Sequence, residues 1–154
     1  MKNVMVRFLM ALAGVISAAV VLVAPASSAP GTRDIMISER MQLTSPDTQA
    51  GTWVGAGAIS DAGSATASFT LVPKGRSAVL KGTHTLTGSA GTITIETTGR
   101  FSPYPPEERA MVEGTWRIVD GTGAYARLRG HGRVFATGDF TTGEVTIVRS
   151  GTVR

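Results

Sequence analysis

Strict alternation of apolar and polar side chains runs through the chain after residue 30, and it restricts what the sequence can build. The stretch "SATASFTLV" (64–72) sets Ala65, Ala67, Phe69 and Leu71 against Ser64, Thr66, Ser68 and Thr70. In "VLKGTHTLT" (79–87), Leu80, Gly82, His84 and Leu86 share one face. In "TITIETTGRF" (92–101), Ile93, Ile95, Thr97, Gly99 and Phe101 do. The same period continues in "MVEGTWRIV" (111–119), "RLRGHGRVFA" (127–136) and "EVTIVRSGTV" (144–153), where Val145, Ile147, Arg149, Gly151 and Val153 align. Two earlier segments, "DIMISERMQLT" (34–44) and "GTWVGAGAIS" (51–60), complete a set of eight. Side chains of a strand point alternately to its two faces, so this pattern predicts half-buried antiparallel strands. A helix would need apolar residues at a 3.6-residue period, and no useful length of chain after residue 30 supplies it.

The separators are rich in Gly, Pro, Asp and Ser: "SPDTQAG", "SDAG", "PKGR", "GSAG", "SPYPPEE", "DGTG" and "GDFTTG". Eight strands joined by short turns predict an all-β, eight-stranded antiparallel up-and-down β-barrel, with a two-sheet β-sandwich as the alternative. Glycines on the inward faces at 82, 99, 130, 132 and 151 favour the barrel, because tight curvature needs positions without a Cβ.

The first 29 residues read differently. "MKNVMVR" is basic, "FLMALAGVISAAVVLVA" is an unbroken apolar run, and Pro25 precedes the small residues of "APASSAPG". This is the pattern of a secretory signal peptide over residues 1–29, with cleavage after Ala29 or Ala26, and it predicts a secreted protein. An uncleaved membrane anchor is the alternative reading. A single domain over 30–154 then remains, about 125 residues, without a cysteine to form a disulfide. That length suffices for a hydrophobic core. Without Lys2 and Arg7, 13 basic side chains face 11 acidic ones, a formal charge of +2, so net charge does not argue for a nucleic-acid partner.

One motif invites a false reading. "GTGAYA" (121–126) satisfies the dinucleotide-binding pattern G-x-G-x-x-G/A. That pattern works by presenting phosphate to a helix N-terminus inside a βαβ unit. Here it is followed by "RLRGHGRVFATG", which alternates at period two and carries three glycines. The expectation is therefore a strand-joining turn, with Gly121 and Gly123 at positive φ and Tyr125 packing as the chain re-enters the sheet. In this context "W-x-I-V-D-G-T-G-A-Y-A-x-L-R-G-x-G" resembles the Gly-rich signature of the allene oxide cyclase and dirigent barrels, with Asp120 in place of the usual first glycine. "GSAGTITIETTGRF" is similar to the strand pair that precedes it. The resemblance covers residues 84–136 and implies an eight-stranded barrel with a central cavity, often oligomeric in the family. Cyclases of the family place an acid on the first strand inside the cavity, and the matching segment is "IMISER" (35–40). The closest pairing puts Met36 there.

Alternation gives Glu39 the same face as Ile35, Ile37, Met41 and Leu43, whereas a one-residue change of register turns it outward; both remain open from sequence. His84 and Arg149 each interrupt an apolar face, either as an anchor for a ligand carboxylate or proton-transfer pair, or as satisfied structural groups. Arg127, Arg129, His131 and Arg133 form a basic strand face suited to weak contact with an anionic surface or simply to solvent. With Phe135 as its one aromatic, that face lacks the stacking platform of a nucleic-acid binder. Glu107 and Glu108 are loop neighbours rather than a carboxylate pair held across a cleft. Two histidines and no His-Glu-x-x-His spacing predict neither a metal site nor a cofactor.

Three functions follow. The first is a barrel that binds an apolar small molecule among Trp53, Phe69, Ile95, Phe101 and Trp116, with Arg149 as its polar contact. The second is a cyclase or isomerase that uses Glu39 or His84 as catalytic acid or base. The third is a cell-surface interaction protein acting through the basic face.

Overall fold

A computed structural model describes residues 31–105 and 108–154. The expected signal peptide, residues 1–29, and Glu107 lie outside the described residues. Eight strands follow in chain order: β1 (Arg33–Ser45), β2 (Thr48–Gly57), β3 (Ala62–Lys74), β4 (Ser77–Gly88), β5 (Gly91–Tyr104), β6 (Arg109–Gly121), β7 (Gly130–Asp139) and β8 (Glu144–Val153). Each pairs antiparallel with the next, and β1 pairs with β8 through Ile37↔Arg149 and Glu39↔Ile147, which closes the barrel. The sandwich alternative is thereby replaced by a sheet without free edges.

The alternation read from sequence maps onto the pleat. Ile35, Ile37, Trp53, Ala65, Ala67, Leu86, Ile93, Ile95, Trp116, Ile118, Val134 and Ile147 are buried inside. Thr, Ser, Lys and Arg fill most outward positions, such as Thr66, Ser68, Lys81, Thr83 and Arg133. A lipid-facing barrel has an outward apolar band, so this distribution is that of a barrel with its core inside.

Two boundaries differ from expectation. β2 begins at Thr48, and Ala58–Asp61 leave it to fold over the barrel end, where Ile59 is buried. β7 begins at Gly130, so Arg127 and Arg129 belong to the preceding connection and only His131 and Arg133 of the expected basic stripe lie on the strand. The connection itself is a short 3-10 turn, Gly123–Tyr125. Gly123 has φ +59°, whereas Gly121 is needed for a different reason: a Cβ there would strike the Tyr125 carbonyl.

The two ends of the barrel are unlike. At one, the β2–β3 loop, the β4–β5 turn and the 3-10 turn form a plug. Asp61 accepts hydrogen bonds from Tyr125 Oη (2.8 Å), Ser89 Oγ (2.9 Å) and the Ala90 amide (3.2 Å), tying the three segments together. Beneath this plug lie both indoles, with Trp53 Nε1 donating to the Thr87 carbonyl and Trp116 Nε1 to the Ser150 carbonyl. Gly151 makes room for Trp116, since a Cβ on it would come within 2.8 Å of the indole Cζ2. At the other end, the β1–β2, β3–β4 and β7–β8 turns stand around an apolar mouth.

Candidate functional site

The charged centre of the barrel grows from three inward positions on strands that face one another. Glu39 (β1) and Arg149 (β8) are diagonal neighbours on one wall, and His84 (β4) and Thr97 (β5) are diagonal neighbours on the opposite wall. Their side chains meet across the interior. Glu39 Oε2 accepts from His84 Nδ1 at 2.9 Å, and Glu39 Oε1 pairs with Arg149 Nη1. Arg149 Nη2 donates to Thr97 Oγ1 at 3.3 Å. Glu39 and Arg149 are 0% exposed, and His84 is 5% exposed. The register with Glu39 inward is thus the one adopted, and Met36 lies outside, 49% exposed.

Isolated buried ions each carry a desolvation cost of several kcal/mol, which is tolerable only when they are paired with good geometry. Glu39 and Arg149 satisfy that condition by neutralising one another. A third charge on His84 would make the cluster net positive, and burial lowers the imidazole to about 4. The Glu39 carboxylate beside it favours the protonated ring, but Arg149 offsets that field and desolvation wins. Burial also draws the Arg149 guanidinium down to about 9, still a cation at neutral pH. Because an ionised carboxylate only accepts, His84 Nδ1 carries the proton and Nε2 keeps a free lone pair.

This bridge crosses the interior at mid-height, linking β1 and β8 to β4 and β5. Above it, Phe69, Leu80, Phe101, Val112, Phe140 and Val145 form most of the wall of a largely apolar recess of about 40 Å³, to which Gln49 and Thr137 contribute polar edges. Phe140 sits in the β7–β8 turn, 45% exposed, with its ring centroid 6.0 Å from that of Phe101. Of the residues expected to hold an apolar ligand, Phe69 and Phe101 line this recess. Trp53, Ile95 and Trp116 instead pack into the core, and Arg149 is engaged by Glu39.

Sequence reasoning did not single out Thr97, Phe140 or Asp61. Thr97 left a trace as a polar residue on the inward face between Ile95 and Gly99. Phe140 left a weaker one as an aromatic in a turn. Asp61 stands in a turn segment like any other and carried no signal. On the outer surface, Arg117 is paired with Glu96 (Nε to Oε2, 2.9 Å), while Arg129, His131 and Arg154 share a shallow groove with it. Among the described residues no group of three or more His, Cys, Asp and Glu is placed to hold a metal. No family model, no curated protein and no solved structure matches the chain.

Proposed function

We propose that this is a secreted barrel of the allene oxide cyclase and dirigent type that binds a small apolar molecule at its mouth. The observation that carries the reading is the largely apolar recess framed by Phe69, Leu80, Phe101, Val112 and Phe140, with Gln49 and Thr137 as its polar edges. Aromatic and aliphatic walls with a few fixed polar groups are the usual composition of a ligand site. At about 40 Å³ the recess has room for a methyl-sized group, so a larger ligand enters by displacing the exposed Phe140 ring. The closed eight-stranded sheet supports the family resemblance, and the polar outer face suits an exported soluble protein.

Titration with cyclohexanol, followed by methyl and aromatic NMR signals, tests the site. Shifts concentrated at Phe69, Leu80, Phe101 and Val112 are expected. Shifts elsewhere, or none at millimolar probe, would refute it.

The Glu39–His84 hydrogen bond favours a second reading, an isomerase or cyclase in which His84 removes a proton from a bound substrate. A base oriented by a buried carboxylate is the arrangement such chemistry uses. Catalysed deuterium exchange into the α-carbons of cyclohexanone, abolished by His84→Asn, is the expected sign. Exchange at the rate of buffer alone removes this reading.

A further inference from the structure

We infer that His84 Nε2 reads the polar end of the ligand, and that the ligand class is an apolar molecule bearing an uncharged hydrogen-bond donor, in its simplest form an alcohol. The inference rests on the mouth recess being the ligand site.

Four observations lead to it. First, Glu39 fixes Nδ1 as the protonated nitrogen, which leaves Nε2 as an acceptor. Second, Nε2 faces the mouth. Gly82 is one inward step from His84 along β4 in that direction, and a Cβ built on it would lie 3.7 Å from Nε2 and 3.4 Å from the Cβ of Phe69. Gly82 therefore leaves the space between Nε2 and Phe69, a residue of the recess wall, free of a side chain. Third, Nε2 has no hydrogen-bond donor among the described residues, and the His84 side chain keeps 7% exposure whereas Glu39 has none. An acceptor that no protein group occupies, at the edge of a desolvated space, gains a bond when a ligand donor arrives and breaks none within the protein.

Fourth, the arrangement selects against charge. Arg149 is the one buried cation among the described residues, and Glu39 already neutralises it. A carboxylate ligand would add an uncompensated negative charge beside Glu39 in a desolvated space. The competing contact is Arg149 Nε, which is buried and has no acceptor among the described residues. It lies on the guanidinium already committed to Glu39 and Thr97, so an anion there would still leave the cluster net negative.

Three probes of one shape separate these possibilities: cyclohexanol, methoxycyclohexane and cyclohexanecarboxylate, titrated calorimetrically into the purified full-length chain at pH 7.5. The alcohol should bind about tenfold more tightly than the ether, the scale of one buried hydrogen bond. The carboxylate should bind more weakly than either. His84→Asn keeps a donor toward Glu39 and deletes the Nε2 acceptor, so it should abolish the preference for alcohol over ether. Equal binding of alcohol and ether to the wild-type protein overturns the inference while leaving the recess as a ligand site. Tighter binding of the carboxylate overturns it in favour of Arg149. Binding of none of the three removes the recess reading and the inference with it. Imidazole 15N spectra of the unliganded wild-type protein give an answer that needs no variant. A pyridine-like Nε2 at pH 7.5 is expected, and a protonated Nε2 overturns the proposal.

Discussion

Tyr125 donates its hydroxyl to Asp61 Oδ2 at 2.8 Å, and this bond joins the connection after β6 to the loop after β2. The Tyr125 bond is the main influence holding the Asp61 carboxyl well below the usual carboxylate range, with the Ala62, Ala90 and Ser89 donors adding to it. A carboxyl with a depressed folded pKa contributes stability above its unfolded value of 3.8 and loses it as the pH falls below that value. Tyr125→Phe and Asp61→Asn should therefore both loosen the plug. Hydrogen exchange should quicken at Ala90, Gly91 and Ala124 while the mid-strand amides of β1 and β8 stay protected. Uniform loss of protection in all strands would show that the latch is not local.

The Glu39–Arg149 pair yields a double-mutant cycle. Removing one partner leaves an uncompensated buried charge, and Arg149→Met or Glu39→Gln should each cost about 3–5 kcal/mol in urea unfolding. With both ions replaced, as in Glu39→Gln with Arg149→Met, the second change should cost far less than it does alone. Additive losses would mean that the two side chains act independently.

The strands were legible because period-two patterning and pleat are the same geometry. "TITIETTGRF" displays its inward face directly, and the β5–β6 ladder uses it from Ile93 to Phe101. The charged cluster was only half legible. His84 and Arg149 declared themselves as polar residues on apolar faces. That they meet Glu39 depends on the β1–β8 and β4–β5 walls being brought round to face one another, which no local pattern encodes. The "GTGAYA" turn was legible as a turn. Its partner Asp61 lies 64 residues away and was invisible, as such long-range pairings are. Local composition also could not show that the bridge crosses the interior, because that depends on where long side chains meet in the closed barrel.

Glycine positions separate a packing requirement from a permissive one. A Cβ on Gly151 would collide with the His131 carbonyl and approach Gly132 Cα and Trp116 Cζ2, both at 2.8 Å. On Gly138 its nearest neighbour would be Val145 Cγ2 at 3.5 Å, an ordinary contact. Gly151→Ala should destabilise by about 1–3 kcal/mol or more through overpacking, and Gly138→Ala should be nearly neutral. Urea midpoints compare the two; equal midpoints would contradict the packing argument.

Phe140 lines the recess from a turn whose backbone is held by a hydrogen bond that the Phe140 N–H donates to the Glu108 carbonyl at 2.7 Å. The ring can leave without the turn unfolding. Phe140→Ala should leave the melting temperature nearly unchanged and raise the association rate of cyclohexanol severalfold, measured by NMR lineshape. An unchanged rate would mean that the ring does not gate the mouth.

His84 gives the protein a specific acid sensitivity. Its ordinary pKa of 6.5 falls to about 4 on burial, so below pH 6.5 the unfolded chain takes up a proton that the folded one refuses. Stability is therefore full above pH 6.5 and declines as the pH falls toward 4, where the contribution levels off. The charged groups facing the ring are Glu39, which favours protonation, and Arg149, which opposes it. Across that window the loss should reach about 3 kcal/mol, following roughly 1.36 kcal/mol per pKa unit. Other carboxylates also titrate in acid, so the informative quantity is the difference between the wild-type protein and His84→Asn. Urea-derived stability curves from pH 4 to 8 should converge at low pH, because the variant lacks the slope that His84 adds. Parallel curves would show that His84 exchanges its proton as freely in the folded barrel as in the unfolded chain.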